Sequence, residues 1–236
     1  MRKAKALFFL SEAYRRQVFE KYVPECYRKE LMEKSYIIPN GIDPFWFENC
    51  RQTQAHSLPK ESKRLRVIYA GRIDKNKNIP TTQKALALLQ QKGYNTSLTV
   101  VGKVEDKQVF GQIQADPNTT CLPPTSKEGL AQLYRQHDMF VMPSFTESFG
   151  LVYAEAISQG LPVVYSRGQG FDEQFPEGTV GYRADANSAS SVADAMEKIV
   201  SDYDTITDGI SQYARCFSWD KILLRYADIY NCILRE

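Results

Sequence analysis

No apolar run in this sequence approaches the length of a membrane span. The longest, such as Ala6-Leu7-Phe8-Phe9-Leu10, fall far short of the ~20 residues a spanning helix needs, so a helical membrane-spanning protein is excluded and peripheral attachment is left open. An excess of one charge is also missing. Thirty basic residues against 28 acidic ones leave a formal net charge of +2, too balanced to argue for nucleic acid, although local basic groups can still meet a small anion. Close cysteine pairs are absent as well. Cys26, Cys50, Cys121, Cys216 and Cys232 are odd in number and widely spread, which excludes a metal knuckle or a redox pair and suits reduced thiols in the cytoplasm. Histidine is scarce. His137, beside Asp138 at a strand start, reads as a surface residue, and His56 lies in a polar stretch with no evident role. No signal peptide, internal repeat or low-complexity segment is evident, so the sequons at Asn95 and Asn118 read as accidents of composition.

What is present is ample material for a core: 236 residues, 43% hydrophobic and 25% charged. Short apolar runs alternate with helix-period stretches. Val67-Ile68-Tyr69-Ala70-Gly71 precedes a stretch with Ile79, Thr82, Leu86 and Leu89 at helical spacing, closed by Gly93. Leu98-Thr99-Val100-Val101-Gly102 precedes a polar helix from about Asp106 to Ala115. Thr125 and Glu128 fit a capping box for a helix carrying Leu130, Leu133 and Tyr134. Met139–Met142 and Pro162–Tyr165 form two more strands around a helix from about Leu151 to Gln159. Strands that are apolar throughout must be covered on both faces, which predicts a doubly wound, Rossmann-like parallel sheet. Such sheets bind ligands at the carboxyl ends of their strands. The polar stretch from about Phe45 to Arg66 reads as a long surface loop. Two closing helices carry apolar faces: Val192, Met196, Ile199 and Tyr203, then Trp219, Ile222, Leu223, Tyr226, Ile229, Tyr230 and Ile233 after a capping Ser218. The second stripe reads as core.

The chemistry concentrates in Pro143-Ser144-Phe145-Thr146-Glu147-Ser148-Phe149-Gly150-Leu151-Val152-Tyr153-Ala154-Glu155-Ala156. It leaves a strand, turns through small residues and enters a helix. The amides at that helix start, with the partial positive charge there, suit phosphate oxygens. Glu147 and Glu155, eight apart, suit hydroxyl-rich groups flanking a diphosphate. Arg72, just after the strand-end Gly71, and Lys77 supply a planar fork and a point charge. They can stabilise the charge that grows on a departing nucleotide diphosphate without a metal ion.

These pieces resemble the group 1 (family four) retaining glycosyltransferases of the GT-B fold. In order they are Ile38-Pro39-Asn40-Gly41-Ile42-Asp43, Ala70-Gly71-Arg72 with Lys77, Val101-Gly102, Pro143-Ser144, Glu147 to Gly150-Leu151 with Glu155-Ala156, and Gly160-Leu161-Pro162-Val163-Val164. The resemblance implies the donor-binding half of such an enzyme over residues 37–236, preceded in residues 1–36 by the last strand and helix of an acceptor domain and a linker. It implies that Arg72 and Lys77 bind the donor diphosphate, Glu155 the ribose hydroxyls and Glu147 the transferred sugar. Gly71 and Gly102 close the strands of the site, and the stretch Ser148, Phe149, Gly150, Leu151, Val152 holds phosphate or sugar groups. No cofactor or metal is implied. The donor is a nucleotide diphosphate sugar, on UDP or GDP, and the acceptor a saccharide or lipid-linked saccharide, as in bacterial capsule or lipopolysaccharide synthesis at the inner face of the membrane. The implied partner is an acceptor domain ahead of this segment or on a separate chain. In the family the last helix also runs back to the first domain, which would leave parts of Trp219, Tyr226 and Tyr230 exposed here.

Two departures stand out. Leu122-Pro123-Pro124-Thr125 replaces a glycine loop by the base, and Gln169 replaces a glycine in the turn ending Asp172-Glu173. Asp202-Tyr203-Asp204 matches a metal-binding D-x-D but reads as a solvated helix end. Gly168-Gln169-Gly170 lacks the third glycine of a dinucleotide fingerprint. Two other functions remain to be weighed: a nucleotide-sugar-binding module without turnover of its own, and a sugar-nucleotide epimerase of related fold.

Overall fold

The computed structural model describes residues 1, 3–50, 58 and 63–235. The chain opens with β1 (Leu7–Phe9), α1 (Glu12–Tyr22), α2 (Glu25–Glu33) and β2 (Ser35–Ile37). Ser11 starts α1 by accepting a hydrogen bond from the Tyr14 amide at 3.0 Å, satisfying one of its orphan donors. β1 and β2 pair in parallel, and Phe9, Phe19, Val23 and Leu31 form a small core of their own.

After Asn40-Gly41 comes α3 (Phe45–Glu48). The main sheet and its helices follow as β3 (Arg64–Ala70), α4 (Ile79–Gln91), β4 (Asn95–Val101), α5 (Lys107–Gln114), β5 (Thr119–Leu122) and α6 (Lys127–Gln136). The second half runs β6 (Met139–Met142), α7 (Leu151–Ser158), β7 (Val163–Ser166), β8 (Gly181–Ala184) and α8 (Ala189–Ser201). Short α9 (Tyr203–Thr207) and α10 (Ile210–Tyr213) lead to α11 (Trp219–Arg235).

All six strands are parallel, in the order β5-β4-β3-β6-β7-β8. The chain winds outward from β3 to β5, then crosses back to β6 and winds the other way. The expected doubly wound sheet is therefore present, and its topological switch point lies between β3 and β6. Val67 to Ala70, Met139 to Met142 and Val163 to Tyr165 are all buried, as helices on both faces require.

Several expectations need correction. The start of the supposed surface loop is helical, because α3 buries Trp46 against Tyr134 at 5.9 Å between rings; residues 51–57 and 59–62, with His56, lie outside the described residues. Ser126, not Thr125, caps α6 by accepting from the Gly129 amide. His137 is buried rather than on the surface. Its Nδ1 lies 2.6 Å from the Leu133 carbonyl and its Nε2 2.8 Å from the Thr99 hydroxyl, and burial pushes its pKa down. Asp202-Tyr203-Asp204, by contrast, is the expected helix end: Asp202 closes α8 and accepts from the Tyr182 hydroxyl, both aspartates are exposed and Tyr203 is buried.

The stripe of α11 is core along one edge only. Ile222 is fully buried and Tyr226 packs on Phe8 at 5.0 Å, but Leu223 and Tyr230 are more than half exposed. Apolar residues cover more of this helix than one supporting face can bury. Trp219 lies against Gly41, where an added Cβ would come within 2.6 Å of its indole. That approach explains the glycine.

Candidate active site

One wall of the site is the end of β3. Gly71 there has φ +149, and the buried Tyr69 hydroxyl donates to the Arg72 carbonyl at 2.5 Å. A single 3-10 turn, Lys75–Lys77, follows, capped by Asp74 accepting from the Lys77 amide at 3.1 Å. Asn78 ends it in the left-handed region (φ +55) and donates its side-chain amide to the Pro143 and Ala186 carbonyls at 3.0 and 2.7 Å. Lys77 is thereby fixed between β3 and β6. Gly102 serves the same wall from beneath, since a Cβ there would sit 1.7 Å from the Gly71 carbonyl oxygen. It supports the site without lining it.

The other wall is the loop between β6 and α7. Asn76 holds its first half, taking the Thr146 amide on its side-chain oxygen (3.0 Å) and donating to the Thr146 carbonyl (2.9 Å). The turn after β7 holds the second half. The Gln169 side chain accepts from the Glu147 amide at 2.9 Å, and the Gly170 amide donates to the Glu147 carbonyl at 2.7 Å. Gly150 turns the chain into α7 at φ +83, with no room for a Cβ beside the Tyr153 ring at 2.5 Å.

Between these walls lies a cavity of about 290 Å³ lined by Asn40, Ala70, Gly71, Arg72, Lys77, Met142, Glu147, Ser148, Phe149, Gly150, Leu151 and Val152. Lys77 Nζ is 2.6 Å from Glu147 Oε2, and both side chains are largely buried. Arg72 is 65% exposed and its ion pair among the described residues is a long one, to Asp74 at 3.8 Å, which leaves its fork available to a ligand. Gly150, Leu151 and Val152, which open α7, line the same space. Two cations and a helix start around a cavity suit an anion, with Glu147 at its edge to accept from hydroxyls.

Glu155 stands apart. It is four residues along α7 from Leu151 and does not line that cavity. Burial raises its carboxyl from 4.5 to about 7; Lys127 lowers it, Asp43 raises it, and a hydrogen bond from the Trp46 side chain lowers it. Of the four charged groups expected to converge, Arg72, Lys77 and Glu147 share one crevice and Glu155 sits one turn deeper. Another cavity, of about 320 Å³ between Arg64, Tyr94, Val200 and Tyr203, lies at the amino end of β3 and contains none of the expected residues.

The fold shared with solved structures agrees with the geometry. Sucrose-phosphate synthase from Thermosynechococcus elongatus superposes with a TM-score of 0.77 at 23% identity, over 99% of this chain and 59% of that one. Anabaena HepE in complex with UDP and glucose gives 0.74 at 20%, over 97% and 64%. The sequence model described as glycosyl transferases group 1 matches residues 51–215. The chain belongs to the group 1 glycosyl transferases. Its fold is the Rossmann-like half of a GT-B glycosyltransferase. D-inositol 3-phosphate glycosyltransferase of Pseudarthrobacter chlorophenolicus is 34% identical over 183 residues, 73% of this chain and 43% of that protein. The capsular polysaccharide glycosyltransferase CapM of Staphylococcus aureus is 27% identical over 209 residues, 84% and 54%. The chain spans about half the length of the curated relatives it matches. Among the described residues no helix is long and apolar enough to cross a membrane.

In this group 1 glycosyl transferase the supports Asn76, Asn78 and Gln169 were not anticipated. Gln169 was visible only as a departure from glycine, and its side chain now carries the Glu147 amide. The asparagines flank Lys77 directly, and that spacing was the available signal.

Proposed function

We propose that the chain binds a nucleotide diphosphate sugar for transfer of the sugar, with retention, to a saccharide or lipid-linked acceptor. The supporting observation is the single crevice at the switch point that joins Arg72, Lys77, Glu147 and the start of α7. In this reading Arg72, Lys77 and the amides of Gly150, Leu151 and Val152 hold the diphosphate and stabilise its charge as it leaves. Lys77 releases Glu147 in part to do so, and Glu147 then orients the sugar. Glu155, deeper on α7, accepts from the ribose hydroxyls. The likeness to CapM supports a place in surface polysaccharide synthesis. Thermal-shift screening of UDP, GDP, ADP and their sugars tests the reading, because a ligand that binds only the native state raises its melting point. Stabilisation by at least one diphosphate is expected; none at millimolar concentration would refute it.

A second reading is a donor-binding module that needs further protein for turnover, favoured by the share of its relatives that the chain spans. The two separate on one observation: transfer by this chain alone, against transfer only when the remaining half of a relative is supplied.

A further inference from the structure

The turn after β7, which holds the backbone of Glu147, also walls a separate cavity. Tyr165 of β7 and Arg183 of β8 are partners across that parallel pair, so both side chains leave the sheet on the same face. The turn adds Asp172, Gln174 and Phe175, and Glu177 completes the lining of a cavity of about 380 Å³. That size lies within the ~300–1,000 Å³ of small-molecule sites. None of these residues lines the diphosphate crevice. Asp172 is buried, accepting from the Gly168 amide at 2.6 Å and the Glu173 amide at 3.1 Å. Arg183 stands between two carboxylates, 3.8 Å from Asp172 and 3.2 Å from Glu177. The shorter contact lacks hydrogen-bond alignment, and Arg183 Nε is left buried without a hydrogen-bond partner. Tyr165 is 2% exposed and packs its ring on Phe171 at 5.4 Å, yet its hydroxyl makes no hydrogen bond among the described residues. Burial, then the charges of Asp172 and Glu177, raise its pKa against the opposing pull of Arg183. The hydroxyl therefore keeps its proton and can donate it to a ligand.

We propose that this cavity is a saccharide subsite, in which the Tyr165 hydroxyl, Arg183 and the carboxylates of Asp172 and Glu177 bind the hydroxyls of one sugar ring while Phe175 packs on its C–H face. A sugar hydroxyl both donates and accepts. Adjacent hydroxyls therefore match a guanidinium set beside carboxylates, where a pure anion or a pure cation meets one wrong partner. An anion is further opposed by Glu173, the third carboxylate of the lining. A cation gains little, because Glu173 is already paired with Arg16 at 2.7 Å and Arg183 offsets another carboxylate. Among the described residues no group of side chains is placed to hold a metal ion. The Gln169 side chain and the Gly170 amide, in the same turn, bond the backbone of Glu147, so the subsite lies beside the transfer crevice. Its use for an acceptor saccharide rests on the transfer reading; the binding of a sugar does not.

Saturation-transfer NMR and calorimetry on the full chain, with maltose, cellobiose, lactose and chitobiose as probes, test the subsite. At least one disaccharide should bind at millimolar concentration, and equally well with and without saturating GDP or UDP. Tyr165→Phe keeps the buried ring and removes only the hydroxyl. Glu177→Ala changes a partly exposed carboxylate at the rim and leaves the core untouched. Each should weaken that disaccharide by about fivefold, the scale of one lost hydrogen bond, with the affinity for GDP and UDP unchanged. Absence of binding by all four probes would overturn the proposal. So would a disaccharide that GDP or UDP displaces, or one that both variants bind as tightly as the unmodified protein. A protein that binds a disaccharide but no nucleotide keeps the subsite and loses the donor reading; one that binds nucleotide but no disaccharide does the reverse.

Discussion

Glu155→Gln offers a prediction whose sign differs for stability and for binding. Burial lifts the Glu155 carboxyl from 4.5 to about 7. A carboxyl with a native value above its unfolded one holds its proton more tightly when folded. The native state is favoured while the group is protonated, and that advantage is lost as pH rises from about 4.5 to about 7. At about 1.4 kcal/mol per pH unit, ionised Glu155 costs the fold about 3 kcal/mol above pH 7. The neutral glutamine escapes this. Glu155→Gln should melt higher than the unmodified protein at pH 8, by up to about 10 °C for a chain of this size, and the gap should close toward pH 5. Nucleotide diphosphate affinity should meanwhile fall by about 1–3 kcal/mol, the scale of a lost charged acceptor. Differential scanning fluorimetry across pH, paired with calorimetry, reads both. Melting curves that stay parallel from pH 5 to pH 8 would refute the desolvated carboxylate.

Arg72→Ala should leave the melting point within about 2 °C, since an exposed, long ion pair is worth under ~1 kcal/mol, yet weaken diphosphates tenfold or more while sparing nucleosides; equal losses for both would remove its phosphate role. Lys77→Met and Glu147→Leu should each destabilise by about 2 kcal/mol in urea, less than a fully buried pair because some water reaches them. The double variant should recover most of that loss, and simple additivity would show that the two do not couple. Gly150→Ala forces a Cβ against the Tyr153 ring at positive φ and should lower stability by about 1–3 kcal/mol; a neutral effect would show that the α7 entry is not rigid.

The interior of this fold was legible and its edges were not. β3, β6 and β7 announce themselves because Val67–Ala70, Met139–Met142 and Val163–Tyr165 are apolar on both faces of the sheet. The edge strands β5 and β8 are half exposed. Their mixed residues, Thr119-Thr120-Cys121-Leu122 and Gly181-Tyr182-Arg183-Ala184, carry no such signal. The loop after β6 and the charges after β3 could be named from local spacing. That Lys77 bonds Glu147 could not, because the pair is 70 residues apart and depends on β3 and β6 being neighbours. His137 misled for a similar reason. Its partner Thr99 lies on β4, and nothing local predicts that contact. In α11 the apolar pattern correctly marked a helix, but periodicity does not say how many of its faces meet protein.

Calorimetric titration of GDP and UDP, each beside its nucleoside, into the unmodified protein and into Lys77→Met tests the diphosphate crevice most directly. At least one diphosphate should bind far more tightly than its nucleoside, and Lys77→Met should erase most of that difference. A diphosphate that binds no better than its nucleoside, or a preference untouched by the loss of Lys77, would contradict the account.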